Sequence, residues 1–278
     1  MAEYKSFFKS VGGNEGNKCH YSTRLDTYGC GCQFDCDYCY AKSLLNFRGL
    51  WNPSDPAVAD IEKIKRKVSK LEPGSVVRMG GMTDCFAPIE TQHKVTLETI
   101  KALNEQGVHY LIVTKSDLVG SDEYISAMDK DLAHVQVTVT CFDDDQYREL
   151  KYEHAPLPSK RIAAIKKLYD NGFDVAVRVS PFIDEYVSYS SLNDVGCDKA
   201  LVEFLRVNTW IEKWFDIDTS EYTVKENGYR HLPLEKKIER LSHITGKIVS
   251  VCEDETTAYT YWQENVNPNK NDCCNLRR

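Results

Sequence analysis

Cys32-Gln33-Phe34-Asp35-Cys36-Asp37-Tyr38-Cys39-Tyr40 sets three cysteines at C-x3-C-x2-C spacing inside one short loop. That spacing lets three thiolates converge on one iron–sulfur cluster and leaves a fourth iron without a protein ligand. An open iron is a place to bind and reduce something. The competing reading is a zinc knuckle. Zinc sites usually come as two paired C-x-x-C units or as Cys/His pairs, and neither completes itself nearby.

Composition narrows the setting. The 278 residues suffice for one large α/β domain or two small ones, and 42% hydrophobic content permits a substantial core. No run of eighteen apolar residues exists and the first ten residues lack an apolar signal region, so the expectation is a soluble, unexported, cytoplasmic protein with no membrane contact. Eleven cysteines are an odd count in a long chain and are locally clustered, which favours metal binding in a reducing compartment over a disulfide scaffold. A net charge of −7 counts against a protein that coats DNA through its charge. Two basic clusters, Lys63 to Lys70 and Lys160 to Lys167, lie in expected helices, where solvated faces are the commoner explanation.

Outward from the cysteine loop, apolar runs alternate with helical patterns. Expected strands are Arg24 to Tyr28, Ser75 to Met79, His109 to Thr114, Val135 to Thr140, Val175 to Val179 and Ile248 to Val251; Lys199 to Arg206 reads as helix or strand, and its position in the rhythm favours a strand. Helices are expected from Pro56 with a Ser54 or Asp55 cap, over 91–106, 121–131, Pro158 to Tyr169, Thr209 to Phe215 and Leu234 to Ile244. This rhythm implies right-handed βαβ units and a parallel sheet, an α/β fold with a partial (β/α)6 TIM barrel. The expected division is an irregular arm over residues 1–23, the barrel over 24–252, and a cysteine-containing tail over 253–278 that packs on the barrel.

The loop from Gly29 to Ala41, with an aromatic before the third cysteine, resembles the cluster loop of the radical S-adenosylmethionine (SAM) superfamily. The Tyr38-Cys39-Tyr40 triplet narrows the resemblance to the spore photoproduct lyase-like branch. It implies a [4Fe-4S] cluster on Cys32, Cys36 and Cys39, SAM on the open iron, and an electron donor such as flavodoxin or ferredoxin. Reductive cleavage of SAM would then give a 5′-deoxyadenosyl radical that takes hydrogen from a substrate. Functional groups of such barrels follow the strands' C-terminal ends. The stretch Gly80-Gly81-Met82-Thr83-Asp84-Cys85-Phe86-Ala87-Pro88-Ile89-Glu90 resembles the branch's SAM-contacting motif and implies contacts from Gly80, Gly81, Thr83 and Asp84. By the same resemblance Lys115 pairs with the SAM carboxylate, Thr138 touches SAM, and Ser180-Pro181 lies along the adenine. Glu153-His154-Ala155-Pro156 with Arg161 takes a structural role.

One departure stands out. In the branch's namesake lyase a cysteine just before the corresponding pair returns hydrogen to the product radical, and that place falls on Gly81 here. Cys85, in the same loop, is the expected substitute, with Tyr38 and Tyr40 matching the relay tyrosines. The implied substrate is a nucleobase, a modified thymine in DNA or a nucleotide, repaired or rearranged. A radical SAM enzyme for a peptide or small metabolite and a non-catalytic iron–sulfur protein are the alternatives. Cys252, Cys273 and Cys274 with Cys197 or Cys19 have the thiol number for an auxiliary cluster, although adjacent cysteines rarely share a metal; Cys19-His20 is a second candidate ligand pair. Arg206 and Asn208 are candidate substrate contacts, and Trp210, Trp214, Tyr259, Tyr261 and Trp262 are either base-stacking or core residues.

Overall fold

The computed structural model describes residues 7–11, 18–19, 21, 23–270 and 272–276; His20 lies outside them. One eight-stranded sheet organises the chain. Its strands are β1 (Phe8–Ser10), β2 (Thr23–Leu25), β3 (Val76–Met79), β4 (His109–Thr114), β5 (Ala133–Thr138), β6 (Asp174–Phe182), β7 (Lys199–Phe204) and β8 (Ile248–Val251). They neighbour one another in strict chain order. From β2 to β8 every pairing is parallel, and only β1 runs antiparallel, to β2. The sheet is therefore an open, partial barrel of the expected α/β kind.

Alternation along each strand separates two faces. Val77, Met79, Tyr110, Ile112, Val135, Val137, Val177 and Val202 join helical residues such as Ile100, Leu103, Ile165 and Leu168 in the main core. The opposite face carries polar groups: His134, Gln136, Thr138, Arg178 and Ser250 are buried and Arg78 is half-buried. Register sets them side by side, with Arg24 opposite Arg78 and Thr138 opposite Arg178. Residues 272–276 enter this concave face, where Gln136 Nε2 donates to the Cys274 carbonyl (3.3 Å) and Lys199 Nζ to the Asn275 carbonyl (2.7 Å).

Several boundaries differ from the sequence reading. The helix expected from Pro56 starts at Ile61, capped by Asp60, because Ala57–Val58 pairs first with Tyr28–Gly29. The helix expected over 91–106 is two pieces, Glu90–His93 and Val95–Gln106, broken at Lys94 with φ of 54°. Phe8–Ser10, expected to be irregular, forms the edge strand β1. A hairpin of Val224–Glu226 and Tyr229–His231 went unanticipated. Both basic clusters are laced with ion pairs, including Lys65 to Glu98, Lys166 to Asp170 and Lys167 to Asp122, as solvated faces are. No helix among the described residues is long and apolar enough to cross a membrane.

The break at Lys94 has a cause. Glu90, fully buried, accepts the amides of Thr96 (2.9 Å) and Leu97 (3.0 Å), so it caps the second helix from within the first. The hydroxyls of Tyr28 and Tyr124 donate to the same carboxylate. Glu90→Ala leaves two amides and two hydroxyls without that acceptor, and is expected to lower stability by about 3 kcal/mol. Denaturant midpoints of the two proteins at equal m-value measure it.

Candidate active site

The cysteine loop leaves the β2 end of the barrel and is held in place by backbone geometry. Gly31 has φ of 141°, and a Cβ there would meet the Asn52 carbonyl and Pro53 nitrogen at about 2.5 Å. Cys30 and Asp35 also take positive φ. The Asp37 amide donates to the Tyr152 carbonyl (2.9 Å) and the His154 amide to the Phe34 carbonyl (2.8 Å), stitching the loop to residues 152–154. Cys32, Cys36 and Cys39 consequently line one cavity of about 150 Å³. They do so without finished coordinating geometry, which no group of Cys, His, Asp or Glu among the described residues has. Burial pushes the Cys36 and Cys39 thiols up and the Cys32 thiol to about 12. Forming the thiolates therefore depends on the metal.

Glu153 seats the loop from below. Its fully buried carboxylate accepts Arg161 Nη2 (2.6 Å) and the Tyr38 hydroxyl, and lies 3.5 Å from Cys36 Sγ and 4.0 Å from Lys115 Nζ. Burial would raise its pKa, but Arg161 and Lys115 hold it below the usual range. This is the structural role expected of the 153–161 segment.

The loop after β3 is held by Asp26, whose Oδ1 accepts the amides of Gly81 (2.8 Å), Met82 (2.8 Å) and Thr83 (3.0 Å). Thr83 Oγ1 donates to the Tyr28 carbonyl (2.6 Å). Gly80, at φ of 82°, would drive a Cβ to 2.8 Å from the Val113 carbonyl. Asp84 accepts Thr114 Oγ1 and the Lys115 amide, each at 2.7 Å, and so ties this loop to the end of β4. The cavity walls include Gly81, Thr83, Asp84, Lys115, Thr138 and Ser180 together with the three cysteines. Gly80 does not line this cavity; it shapes the turn that precedes the wall. Lys115 Nζ reaches the Ser180 carbonyl (3.3 Å) and lies 5.3 Å from the Tyr38 ring centroid. A second recess of about 160 Å³ shares Cys36, Cys39, Tyr40, Lys115, Ser180 and Glu203 with the first and adds Tyr38 and Arg206. Three thiols, an ammonium group, hydroxyls and an apolar floor on adjoining recesses fit a cluster with SAM as its ligand.

Other expected groups stand elsewhere. Cys85 does not line these recesses: its thiol is 1% exposed and faces the Leu25 carbonyl at 3.9 Å. Because Asp84 turns inward to Thr114, its neighbour turns into the core. Asn208 accepts the amides of Trp210 and Ile211, so it caps a short helix rather than facing the site. Trp262 is core, stacked near Phe204. Tyr259 instead borders a third cavity, of about 200 Å³, with Arg24, Arg78, Arg178, Arg206 and Glu203. Arg178 Nη2 (2.5 Å) and Arg206 Nη2 (3.1 Å) donate to Glu203. Burial alone would raise Glu203, but the two guanidinium groups hold it at about 2. Asp26, Arg78, Arg178 and Glu203 were missed as site residues. A single charge within Val-Val-Arg-Met, Val-Ala-Val-Arg-Val and Leu-Val-Glu-Phe was the available signal.

Asp26→Ala is expected to weaken SAM binding tenfold or more while iron content stays unchanged, since three loop amides lose their acceptor whereas the cysteine loop keeps its backbone bonds to residues 152–154. Calorimetric titration with SAM, beside iron analysis, checks both.

Comparison with known proteins fits this geometry. An uncharacterised protein of Methanocaldococcus jannaschii, MJ0683, is 28% identical over 179 residues, which cover 63% of this chain and 65% of that protein. Spore photoproduct lyase complexed with dinucleoside spore photoproduct superposes with a TM-score of 0.67 at 14% identity, covering 89% of this chain and 80% of that one. A variant of that lyase with bound AdoMet and dinucleoside spore photoproduct gives 0.62 at 15% identity, covering 82% and 76%. These likenesses show the fold. The radical SAM superfamily model matches residues 27–186, more than half of the chain and the whole of the cysteine loop and the loop after β3. The chain belongs to the radical SAM superfamily, whose cofactors are a [4Fe-4S] cluster and SAM.

Proposed function

We propose that the chain is a radical SAM enzyme that takes hydrogen from a nucleobase-type substrate, a modified thymine in DNA or a nucleotide, and rearranges it. The observation that carries the rearrangement reading is the surroundings of Gly81. A Cβ on that residue would fall 1.9 Å from Arg24 Cδ, so the Arg24 side chain fills the space a side chain there would take. By the resemblance above, that is where the lyase's hydrogen-returning cysteine stands. A guanidinium cannot return a hydrogen atom to a carbon radical, whereas it can bind an anionic group. With Cys85 turned into the core, literal photoproduct repair loses its donor. A rearrangement in which hydrogen comes back from 5′-deoxyadenosine needs none.

Bound cluster and SAM would supply the 5′-deoxyadenosyl radical. The chain's own residues divide the remaining work. By the resemblance Lys115 would hold the SAM carboxylate, while Asp84 and Thr83 shape the cavity wall. Tyr40, whose hydroxyl donates to the Gly81 carbonyl, stands where the SAM-side cavities and the arginine-lined cavity meet. The arginine-lined cavity is mixed in charge, with Arg24, Arg78, Arg178 and Arg206 beside Glu203, Glu253 and Asp254; Arg24, which lies across Gly81, is the group we assign to a phosphate or carboxylate on the substrate. The likeness to a lyase solved with a dinucleoside photoproduct supports the nucleobase class.

The test is anaerobic turnover of the reconstituted protein with SAM, a reductant and DNA carrying deuterated, modified thymines. Deuterium is expected in 5′-deoxyadenosine and, after rearrangement, back in the product. Absence of SAM cleavage, with neither 5′-deoxyadenosine formed nor deuterium in re-formed SAM, would overturn the enzyme reading; SAM cleavage with deuterium in neither species would overturn the substrate class. Arg24→Ala is expected to keep uncoupled SAM cleavage while lowering deuterium transfer about tenfold or more, the loss of one charge-assisted contact.

A further inference from the structure

A second group of thiols lies on the barrel's concave face, outside the cluster loop. Cys19 comes from the N-terminal arm, Cys252 follows β8, and Cys273 and Cys274 belong to the tail. Cys19 Sγ and Cys273 Sγ are 3.9 Å apart. Cys273 and Cys274 belong to one small buried cluster with Tyr21, Val76 and Leu111, and Cys19 and Cys252 pack against it. We propose that Cys19, Cys252, Cys273 and Cys274 form a tetrathiolate site for a single zinc ion, which pins the tail into the concave face beside the arginine-lined cavity.

Spacing separates this site from an iron–sulfur cluster. Zinc–thiolate bonds of about 2.3 Å at tetrahedral angles place neighbouring sulfurs about 3.8 Å apart. The observed 3.9 Å matches that edge and is much longer than the roughly 2.05 Å of a disulfide. A cubane holds its thiolates on separate irons, farther apart than the Cys19–Cys273 pair. Adjacent cysteines can both face one ion here because the tail is turned. Asp272 accepts the amides of Cys274 (3.2 Å) and Leu276 (3.3 Å), and Asn275 takes φ of 50°. Both thiols consequently stay buried, at 2% and 8% exposure.

Charge points the same way. A zinc tetrathiolate carries a net charge of −2 and needs cations when buried. Arg78 acts on Cys19 and Arg178 on Cys252 and Cys274. Cys197 is excluded as a ligand, since its thiol faces the Lys199 carbonyl and packs in the main core. The four sulfurs, like the cluster-loop cysteines, lack finished coordinating geometry. The chain provides their contact, and the ion would draw them in.

Metal analysis of the full chain tests this without relying on turnover. In a Cys32→Ala/Cys36→Ala/Cys39→Ala protein, which removes the cluster loop's ligands, about one zinc and no iron per chain are expected. Adding Cys273→Ser and Cys274→Ser should lower zinc below about a tenth per chain. Cobalt substitution of the first protein should give thiolate charge-transfer absorption and strong tetrahedral bands, a readout that does not need the serine variants to fold. Absence of zinc with four freely titrating thiols would overturn the proposal, as would iron and sulfide bound at this group. Either result leaves the radical reading untouched, because that rests on the other cysteines.

Discussion

Glu153 is the constraint on which the active end of the barrel depends. Buried charge is costly unless paired, and this carboxylate is satisfied from three directions at once. Arg161, also fully buried, reaches it from the helix Pro158–Asp170, Tyr38 from the cysteine loop, and Lys115 approaches from the end of β4. Arg161 additionally donates to the carbonyls of Pro156 (2.6 Å) and Thr138 (3.2 Å), so the pair also anchors the end of β5. Cys36 sits against the same carboxylate. Removing one partner would leave the other as an uncompensated charge in the interior, which is why these elements hold a common geometry.

Asp26 does for the loop after β3 what Glu153 does for the cysteine loop. Three consecutive amides converge on one oxygen, which converts a glycine-rich stretch into a defined wall. Glycine conformations explain why that stretch can be so tight, at Gly80 by its positive φ and at Gly81 by the Arg24 side chain lying across it. Between these two carboxylates the cavity has cysteines on one side and Lys115, Thr138 and Ser180 on the other. Arg78, Arg178 and Glu203 line both this cavity and the one beyond Tyr40, so the two share one charged wall.

Much of the fold was legible because its signals are local. The parallel strands read as apolar runs, and His109–Thr114 begins and ends where the sequence pattern places it. The cysteine loop declared itself by spacing alone. The hairpin at Val224–His231 carried an Asn227-Gly228 turn between β-compatible triplets, both residues at positive φ, and that signal went unread. The late helix start at Ile61 was not legible in the same way, because Ala57–Val58 is extended only by pairing with a distant edge.

The sequence by itself determined the alternating α/β order, the three-thiol loop, and the lysine at the end of β4, since each depends on residues near one another in the chain. Tertiary structure decided which side chains face the cavity. It turned Cys85 into the core and set Arg24 across Gly81. It also gathered Cys19, Cys252, Cys273 and Cys274 from both ends of the chain. Those outcomes follow from strand register and from carboxylates accepting distant amides. Neither leaves a periodic trace in the sequence.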